Sequence, residues 1–468
     1  MMENDLLSVI RAEFDQSIGF EHDGQLSSAR ETALRYFKGD MSDLPVFGDR
    51  SKTVSTDIAD TIESILPDIV EILTGSEEVA SFQPENEDDE AQAQQETDYI
   101  NHVVFEQNNG FEIIYSSVKD ACLTRTGLFR WQWQEDESLE TQNYAELTDQ
   151  AFYMARQQGW ELVEGDVQEV LVQDPATGAY DQSRFVIRDA VLGQTHTKGR
   201  VVITSFPSED FAVAPDTVRL RDASYCVARI RTRKQDLIDE GMDEALVRDL
   251  SASEAEALES TVRDARDVAD DENTAAPSSV GDLAQVTVHE HHIRVGGDIL
   301  RVITDTDNAV ILDAAKVSHI QVSAICPFPI PHRFYGLSLA DKLIEVQRVK
   351  TGLLRSMLDN VSFSLNQRME VADSRKNENT MADLINNTPG APIRTRESGA
   401  VNPVRGSSLT FDFGAALETA DMMGERRTGV LRGQQGLDSD ALHDTASGAL
   451  TMMTEGQKRV RMMARIFA

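Results

Sequence analysis

A single stretch, KTVSTDIADTIESILPDIVEILTG at residues 52–75, most constrains how this chain can fold. Asp57 and Asp60 fall in the first turn of a predicted helix, where the helix dipole favours negative charge, and Gly75 is a natural helix end. Pro67 has no backbone N–H, so we expect it to kink or break the helix. Apolar residues recur at helical spacing: Ile58, Ile62, Ile65, Leu66, Ile69, Ile72 and Leu73. The pattern predicts a bent helix with one face in a protein core.

The charge of the chain limits what it can bind. Its 468 residues are enough for two or three domain-sized units with a buried core. They include 80 acidic and 44 basic residues, which gives a formal net charge of −36. The average surface therefore repels phosphate, which argues against a free protein that grips nucleic acid by its backbone. An acidic wall would instead suit a protein past which DNA must slide.

Cysteine usage and hydropathy indicate a chain of a reducing, cytoplasmic-type compartment. The 3 cysteines, Cys122, Cys226 and Cys326, are far apart and form no CxxC pair, so we expect no disulfide framework. The sequence MMENDLLSVIRAEFDQS carries charges throughout and does not read as a signal peptide. No window approaches about 18 uninterrupted apolar residues, so we expect no membrane-spanning helix.

The periodicity changes along the chain, which predicts an α+β fold without the βαβ alternation of a doubly wound sheet. Helical spacing covers residues 3–38, and it returns at 92–126 with a break near 108–110. A strand is predicted by the alternation of apolar and polar residues in LFRWQWQED. A helix is predicted over AELTDQAFYMARQQGW, and β-rich sequence then continues to about residue 215. Residues 284–317 are predicted to form an antiparallel meander with turns at GGD and DTDN.

The last third of the chain is predicted to be mainly helical. A long helix begins near Ser338, strands and loops follow at 368–405, and further helices cover 411–433 and 443–468. We therefore divide the chain into four segments: a helical segment at 1–126, a β-rich segment at 127–215, a helix, acidic loop and β meander at 216–335, and C-terminal helices at 336–468.

The sequence HEHH at residues 289–292 is the best candidate for a metal site. On a strand, His289 and His291 share a face, and imidazoles two residues apart can ligate zinc or copper. No third ligand motif accompanies them, and the helical HExxH spacing is absent. The simpler interpretation is a strand with surface histidines and one inward partner, so we predict neither a metal nor a cofactor.

Signatures of catalysis are missing from the sequence. LGQTHTKGR lacks the G-x-x-x-x-G-K-[ST] pattern of a phosphate-binding loop, which disfavours a packaging ATPase. No GxSxG elbow or nucleophilic-cysteine signature occurs. Pairs of carboxylates carry almost no information in a chain with 80 acidic residues. We therefore predict that the protein is not an enzyme.

Three basic clusters stand out against the acidic background: RIRTRK, GERRTGVLR and QKRVRMMAR. Ion pairing within or between subunits is the ordinary explanation for them, and phosphate contact is the alternative. The candidate intersubunit or DNA-facing residues are Arg229, Arg231, Arg233, Arg426, Arg427, Lys458, Arg459 and Arg461, with Lys234, Arg432 and Arg465 beside them.

Four long stretches follow one another in a specific order. They are GDRSKTVSTDIADTIESILPDIVEILTGSEEVASFQPENEDDEAQAQQETDYINHVV, NNGFEIIYSSVKDACLTRTGLFRWQW, PFPIPHRFYGLSLADKLIEVQRVKTGLLRSMLDNVSFSLNQRMEV and RTGVLRGQQGLDSDALHDTASGALTMM. Together they resemble the portal proteins of tailed bacteriophages, in the branch typical of short-tailed phages. The resemblance spans about residues 51–468, and none of its pieces is a catalytic signature.

The resemblance implies a subunit of a cyclic ring, usually of about twelve copies, at one vertex of the capsid. Such a ring is a channel for double-stranded DNA during packaging and ejection, without enzymatic activity of its own. Its implied partners are the terminase large subunit, the head-tail adaptor, and the major capsid and scaffolding proteins, with no membrane. Assembly in the bacterial host cytoplasm and residence in the virion follow from the same resemblance.

The resemblance also predicts how the parts are distributed. Portals of this branch usually continue past a segment like RVRMMARIFA, and the continuation supplies stem helices, a clip, channel loops and a crown. Either those parts lie beyond Ala468, or this portal is split or unusually short, so we assign no channel-lining or motor-docking residues. We assign both the 52–75 helix and the long helix at 338–366 to the peripheral wing.

Two other classes of protein remain open at this point. A metal-dependent hydrolase would use His289, His291 and nearby acidic residues, and it would carry stoichiometric metal. Another virion scaffold, such as a connector or decoration protein, would form a ring or shell of different symmetry and would not need the four stretches.

Overall fold

Two large antiparallel sheets and a two-stranded one accompany a body of helices, which makes the fold α+β as predicted. The structure is a computed structural model. It describes residues 3–20, 24–46, 48, 50–75, 79–84, 86, 89–173, 180–250, 261–266, 281–365, 369–386, 388, 390–404, 412–430 and 458–467.

The helices and strands have the following bounds. The helices are α1 (Glu3–Gln16), α2 (Gly24–Phe37), α3 (Asp57–Thr74), α4 (Glu90–Asn101), α5 (Gly110–Thr124), α6 (Asp149–Gln157), α7 (Lys234–Asp239), α8 (Glu244–Asp249), α9 (Thr261–Arg266), α10 (Leu339–Leu365), α11 (Thr380–Ile385), α12 (Phe413–Thr428) and α13 (458–467). The strands are β1 (Gly127–Thr148), β2 (Glu161–Gln173), β3 (Tyr180–Phe206), β4 (Phe211–Val213), β5 (Tyr225–Arg233), β6 (Gln285–Val295), β7 (Asp298–Thr304), β8 (Ile311–Val317), β9 (Val322–Ile325), β10 (Met369–Val371) and β11 (Val401–Pro403).

The apolar stripe of α3 is buried in the helical body up to Ile69, as its periodicity predicts, whereas Ile72 is 48% exposed. Ile58, Ile62, Ile65, Leu66 and Ile69 are each at most 1% exposed, and they share a core with α2, α5, α10 and α13. The helix runs unbroken from Asp57 to Thr74 with Pro67 inside it on the exposed side. We predicted a kink or a break at Pro67, and of these two the break is wrong. Burial on the opposite face supplies the free energy that holds the helix together across the proline.

Polar side chains of α10 complete the start of α3. The side-chain carbonyl of Gln347 accepts a hydrogen bond from the backbone N–H of Ile58 at 3.0 Å, and its amide donates to the Tyr36 carbonyl at 2.9 Å. The Thr351 hydroxyl accepts from the Ser55 N–H at 3.1 Å. The bond to Ile58 satisfies a backbone N–H that the first turn of α3 leaves without a partner, and the bond to Tyr36 satisfies a carbonyl in the last turn of α2. The predicted segments 1–126 and 336–468 thus contribute to one core.

A long antiparallel ribbon forms the first sheet, in the strand order β2-β3-β1-β9. Its register pairs Leu128 with Phe206 at one end and Thr148 with Val186 at the other. The predicted helix AELTDQAFYMARQQGW is shorter than expected, because its first residues continue β1 and only α6 is helical. α6 packs on the far end of the ribbon, which carries its own small apolar cluster.

The second sheet is the predicted meander, extended by two strands to the order β4-β5-β6-β7-β8. Its turn at Gly296 and Gly297 has positive φ at both residues, as a tight two-residue hairpin requires. Phe14 of α1 and Phe20 lie in a cluster on this sheet, and α7 and α8 contribute to another. A third cluster, which includes Leu128 and Phe211, joins this sheet to the ribbon.

α10 and α12 form an antiparallel pair that carries the small module of residues 369–404. Lys350 of α10 pairs with Asp421 of α12 at 2.7 Å, and Arg427, later in α12, donates to the carbonyl of Lys342, earlier in α10, at 3.3 Å. The two helices therefore run in opposite directions. We call α10, α12 and residues 369–404 the arm. The predicted helix at 411–433 is confirmed over α12, and 458–467 is helical, while residues 443–457 and most of the acidic loop lie outside the described part.

Candidate interaction surface

The first basic cluster is divided between the interior and the surface. Arg229 is only 9% exposed, lies 3.6 Å from Asp210 and stacks over the Phe20 ring at 4.8 Å. Lys234 is also buried, and its ammonium donates to the carbonyls of Arg248 and Leu250. Both cations are buried and have partners within the subunit. They therefore stabilise its fold and do not contact another molecule. Arg231 and Arg233 are exposed.

The second and third basic clusters meet in space, although about thirty residues separate them in sequence. Arg459 at the start of α13 donates to the Arg426 carbonyl at the end of α12, at 3.1 Å. Arg427 donates to the carbonyl of Lys342 in α10. These contacts bring together Lys342, Arg426, Arg427 and Arg459, which we call the basic patch. Lys458 and Arg461 are on the same helix, α13, as Arg459. Arg465 lies one turn further along α13, and Arg432 falls outside the described residues.

Gly429 makes this approach of α12 and α13 possible. It ends α12 with φ of 83°, a left-handed conformation that glycine adopts without strain. A Cβ atom there would lie 2.2 Å from Cδ of Arg459. Arginines at the C-terminal end of a helix also interact favourably with its dipole. The glycine therefore lets Arg459 cross the end of α12 and bond its free carbonyl.

Sequence reasoning missed Lys342, which lies far from both clusters along the chain. Its ammonium sits 3.1 Å from the centroid of the Phe328 ring. Partial burial lowers the pKa of Lys342, and the nearby charge of Arg459 lowers it further.

The surrounding chain differs in charge from the rest of the protein. Residues 336–468 contain 17 basic and 16 acidic residues, whereas residues 1–335 contain 27 basic and 64 acidic residues. The whole net negative charge therefore resides in the first 335 residues. The arm and the basic patch belong to the part of the sequence in which the charges balance.

The histidines of HEHH are buried, so the expectation of surface histidines is wrong. His289, His291 and His292 are each at most 2% exposed. His289 and His291 do share a face of β6, with ring centroids 5.9 Å apart. α1 covers that face, since the ring of Phe14 lies 5.0 Å from that of His289. Local sequence patterns could not predict this cover, because Phe14 lies far from His289 along the chain.

The hydrogen bonds of these histidines do not fit a metal site. Both ring nitrogens of His291 are engaged, Nδ1 with the Tyr225 hydroxyl at 2.8 Å and Nε2 with the Thr304 hydroxyl at 2.9 Å. His289 Nδ1 bonds the Asn308 side-chain oxygen at 2.9 Å. Burial lowers the pKa of His289 to about 4 and that of His291 to about 3. Across the described residues, no group of three or more potential ligands is arranged to hold a metal.

Glu290 points to the other face of β6 and is paired with two arginines. Its carboxylate accepts from Arg130 Nη1 and from Arg301 Nε, each at 2.9 Å. Burial alone would raise the pKa of Glu290, but the charges of Arg130, His292 and Arg301 bring it below its ordinary value. The acidic member of HEHH thus joins the ribbon to the second sheet and stays charged.

A comparison with protein families decides between the open classes. The family described as phage SU10 portal protein matches residues 6–468. The chain belongs to this portal family. The match covers nearly the whole chain, so the two sheets, the helical body and the arm are all parts of a portal protein. No curated protein matches the chain.

Membership in the portal family carries general consequences. A phage portal protein is a component of the virion, and the family is structural rather than enzymatic. Within the described part of the chain, no helix combines the length and hydropathy needed to cross a bilayer.

Proposed function

We propose that this portal protein forms a ring at the unique vertex of the capsid, through which double-stranded DNA is packaged and later ejected. About twelve copies make the ring, which docks the terminase large subunit during filling and the head-tail adaptor afterwards. It also contacts the major capsid and scaffolding proteins and assembles in the host cytoplasm. The family match over residues 6–468 carries this proposal.

The charge distribution supports a channel. A ring built from heterologous contacts closes into cyclic symmetry when each copy presents two complementary surfaces. The acidic first 335 residues and the basic patch provide surfaces of opposite sign. In this proposal the patch pairs with a neighbouring copy rather than with DNA, since cations on the channel wall would hold phosphate and slow its passage.

The arm supports a revision of where the stem lies. α10 is 27 residues long, about 40 Å at 1.5 Å per residue, and only its first half is in the core of the body. α12 returns beside it, and residues 369–404 lie between them in sequence. We therefore propose that α10 and α12 form the stem and that 369–404 is the part that meets the terminase, in place of our assignment of α10 to the wing.

Immunoelectron microscopy of virions tests the proposed location. An antibody against this chain, applied to particles opened enough to expose the head–tail junction, should label one vertex per particle. An antibody against the major capsid protein is the matched control and should label the whole shell. Labelling of many vertices by the first antibody, or of the shell faces, would show that the chain is a decoration protein and not the portal.

A further inference from the structure

Cys122 and Cys326 lie about 200 residues apart in sequence, but they flank one junction of the fold. Cys122 is in the last turn of α5, and Cys326 directly follows the last residue of β9. β1 begins shortly after Cys122, and its first residue, Gly127, pairs with Ile325 of β9. The strand pairing therefore brings the residue after Ile325 back to the end of α5.

The three elements are tightly packed at this junction. A Cβ atom at Gly127 would clash with the backbone oxygen of Ser117 in α5 and would lie 3.0 Å from Cγ1 of Ile325 in β9. The side chains of Cys122 and Ile325 belong to the same core cluster of the helical body. The end of α5, the start of β1 and the end of β9 thus converge, and each of the two cysteines lies at that point.

The two thiols differ in how easily they react. Cys122 is 0% exposed, and its burial, with a smaller contribution from the nearby Cys326, raises its pKa to about 12. Cys326 is only partly buried. Burial raises the pKa of Cys326 too, but the N–H groups of Phe328 and Gly336 and the charge of Arg125 act in the opposite direction. Because the thiolate is the nucleophile, we expect Cys326 to react with an oxidant first and Cys122 second.

We infer that Cys122 and Cys326, which are free thiols in the structure, form a disulfide bond when the protein meets an oxidising environment. The oxidant is a small disulfide such as glutathione disulfide. The Cys326 thiolate attacks it and releases one glutathione thiolate. The Cys122 thiolate then attacks the Cys326 sulfur of the mixed disulfide and releases the second. Two protein thiols are oxidised, one glutathione disulfide is reduced to two thiols, and the two protein protons end on those thiols.

The bond has a clear consequence for a protein of the virion. Virions leave the reducing cytoplasm, and disulfides persist on them, whereas they are rare inside the cell. Membership in the portal family makes this chain a virion component. A bond between Cys122 and Cys326 closes a loop of about 200 residues that contains every strand of the ribbon and of the second sheet. Because such a crosslink restricts the unfolded chain, the oxidised protein should be harder to unfold.

Thiol counting by intact-mass spectrometry tests the inference. The full chain is incubated under native conditions with glutathione disulfide, then denatured and labelled with N-ethylmaleimide, which marks every thiol that remains. Untreated protein should carry three labels, because the chain has 3 cysteines. Oxidised protein should lose two of them and keep the label on Cys226. Peptide mapping should show Cys122 joined to Cys326, and the melting temperature of the oxidised protein should rise.

Two single variants separate this pair from the third cysteine. Cys326→Ser should keep both of its labels after oxidation and show no rise in melting temperature. Cys226→Ala is the matched control, and it should lose both of its labels as the unaltered pair does. If a variant does not fold, the peptide map of the unaltered protein decides the question.

Three outcomes would overturn the inference: three labels after oxidation, a glutathione adduct that persists on Cys326, or a bond that includes Cys226. The inference rests on the fold of one subunit and on the family, not on the closing of a ring. Its failure would therefore leave the proposed function standing.

Discussion

The guanidinium of Arg266 grips the carboxylate of Glu209 through two hydrogen bonds, Nε to Oε1 at 2.8 Å and Nη2 to Oε2 at 2.9 Å. Its remaining nitrogen, Nη1, donates to Asp120 at 2.6 Å. Burial alone would raise the pKa of Glu209, but Arg266 brings it below its ordinary value. Through Arg266, the six-residue helix α9 contacts both Asp120 of α5 and Glu209, which precedes β4.

Replacing Arg266 should destabilise the protein strongly. Arg266→Ala leaves Glu209, which is 4% exposed, without the partner that keeps it charged, and removes the partner of Asp120 as well. We expect a loss of about 3–5 kcal/mol in the free energy of unfolding, measured by urea denaturation. Arg375→Ala is the control, because Arg375 and its partner Glu397 are 52% and 64% exposed. That pair should contribute less than about 1 kcal/mol. Equal losses in the two variants would contradict the role of α9.

Acid should destabilise the second sheet, because His289 and His291 are buried in the neutral form. Their folded-state pKa values are lowered by burial to about 4 and about 3. In the unfolded chain each histidine binds a proton near pH 6.5, so the unfolded state holds more protons below that pH. The free energy of unfolding therefore falls as the pH drops from about 6.5 towards 4, by about 1.4 kcal/mol per pH unit for each of the two.

Urea unfolding at pH 7, 6 and 5 measures this slope. His291→Asn should remove its share and leave a shallower dependence on pH. His102→Gln is the control, since His102 is 49% exposed and pairs only with Glu106 on its own helical turn. An unchanged slope in His291→Asn would mean that protonation elsewhere governs the acid response.

Two glycines should respond in opposite directions to the same substitution. A Cβ at Gly127 would lie 1.9 Å from the backbone oxygen of Ser117, where β1 crosses α5. Gly127→Ala should therefore force the strand off the helix and cost at least about 2 kcal/mol. Gly352 lies inside α10 with nothing within 4 Å of its Cβ position, so Gly352→Ala should stabilise by about 0.5–1 kcal/mol. A neutral Gly127→Ala would refute the close crossing.

Removing the proline of α3 should strengthen the helix. Pro67 is exposed, and an alanine there would restore the hydrogen bond to the Glu63 carbonyl one turn earlier. We expect Pro67→Ala to raise the melting temperature and to increase the free energy of unfolding by up to about 3 kcal/mol. Glu71→Ala, one turn further along and also exposed, should change the stability by less than about 0.5 kcal/mol. A lower melting temperature for Pro67→Ala would mean that the proline itself shapes the packing of α3.

Local patterns in the sequence predicted the elements whose stabilising contacts are close in sequence. The stripe of α3, the meander of β6 to β8 and the break at Asn109, which has a left-handed φ of 51°, are all confirmed. Of the kink or break predicted at Pro67, the break was wrong because core burial outweighs the missing hydrogen bond. The buried state of His289 and His291 depends on Phe14, Tyr225 and Thr304. Periodicity says nothing about partners that come together only in the folded chain.

The same limit applies to the interaction surface. The sequence pointed to Arg426, Arg427 and Arg459 as members of two separate basic clusters, but it predicted neither that they meet beside Lys342 nor that Arg229 is buried. In the sequence, Arg229 is one more basic residue of RIRTRK. Its burial depends on Asp210 and Phe20, which are close to it only in the folded chain.

Native mass spectrometry of the purified protein, with electron-microscope class averages of the same sample, tests whether copies of this chain close into a portal ring. We expect one assembly of about twelve copies with cyclic symmetry and an axial hole at least about 20 Å wide, enough for a DNA duplex. A monomer at all concentrations, or a closed shell without an axial hole, would contradict it.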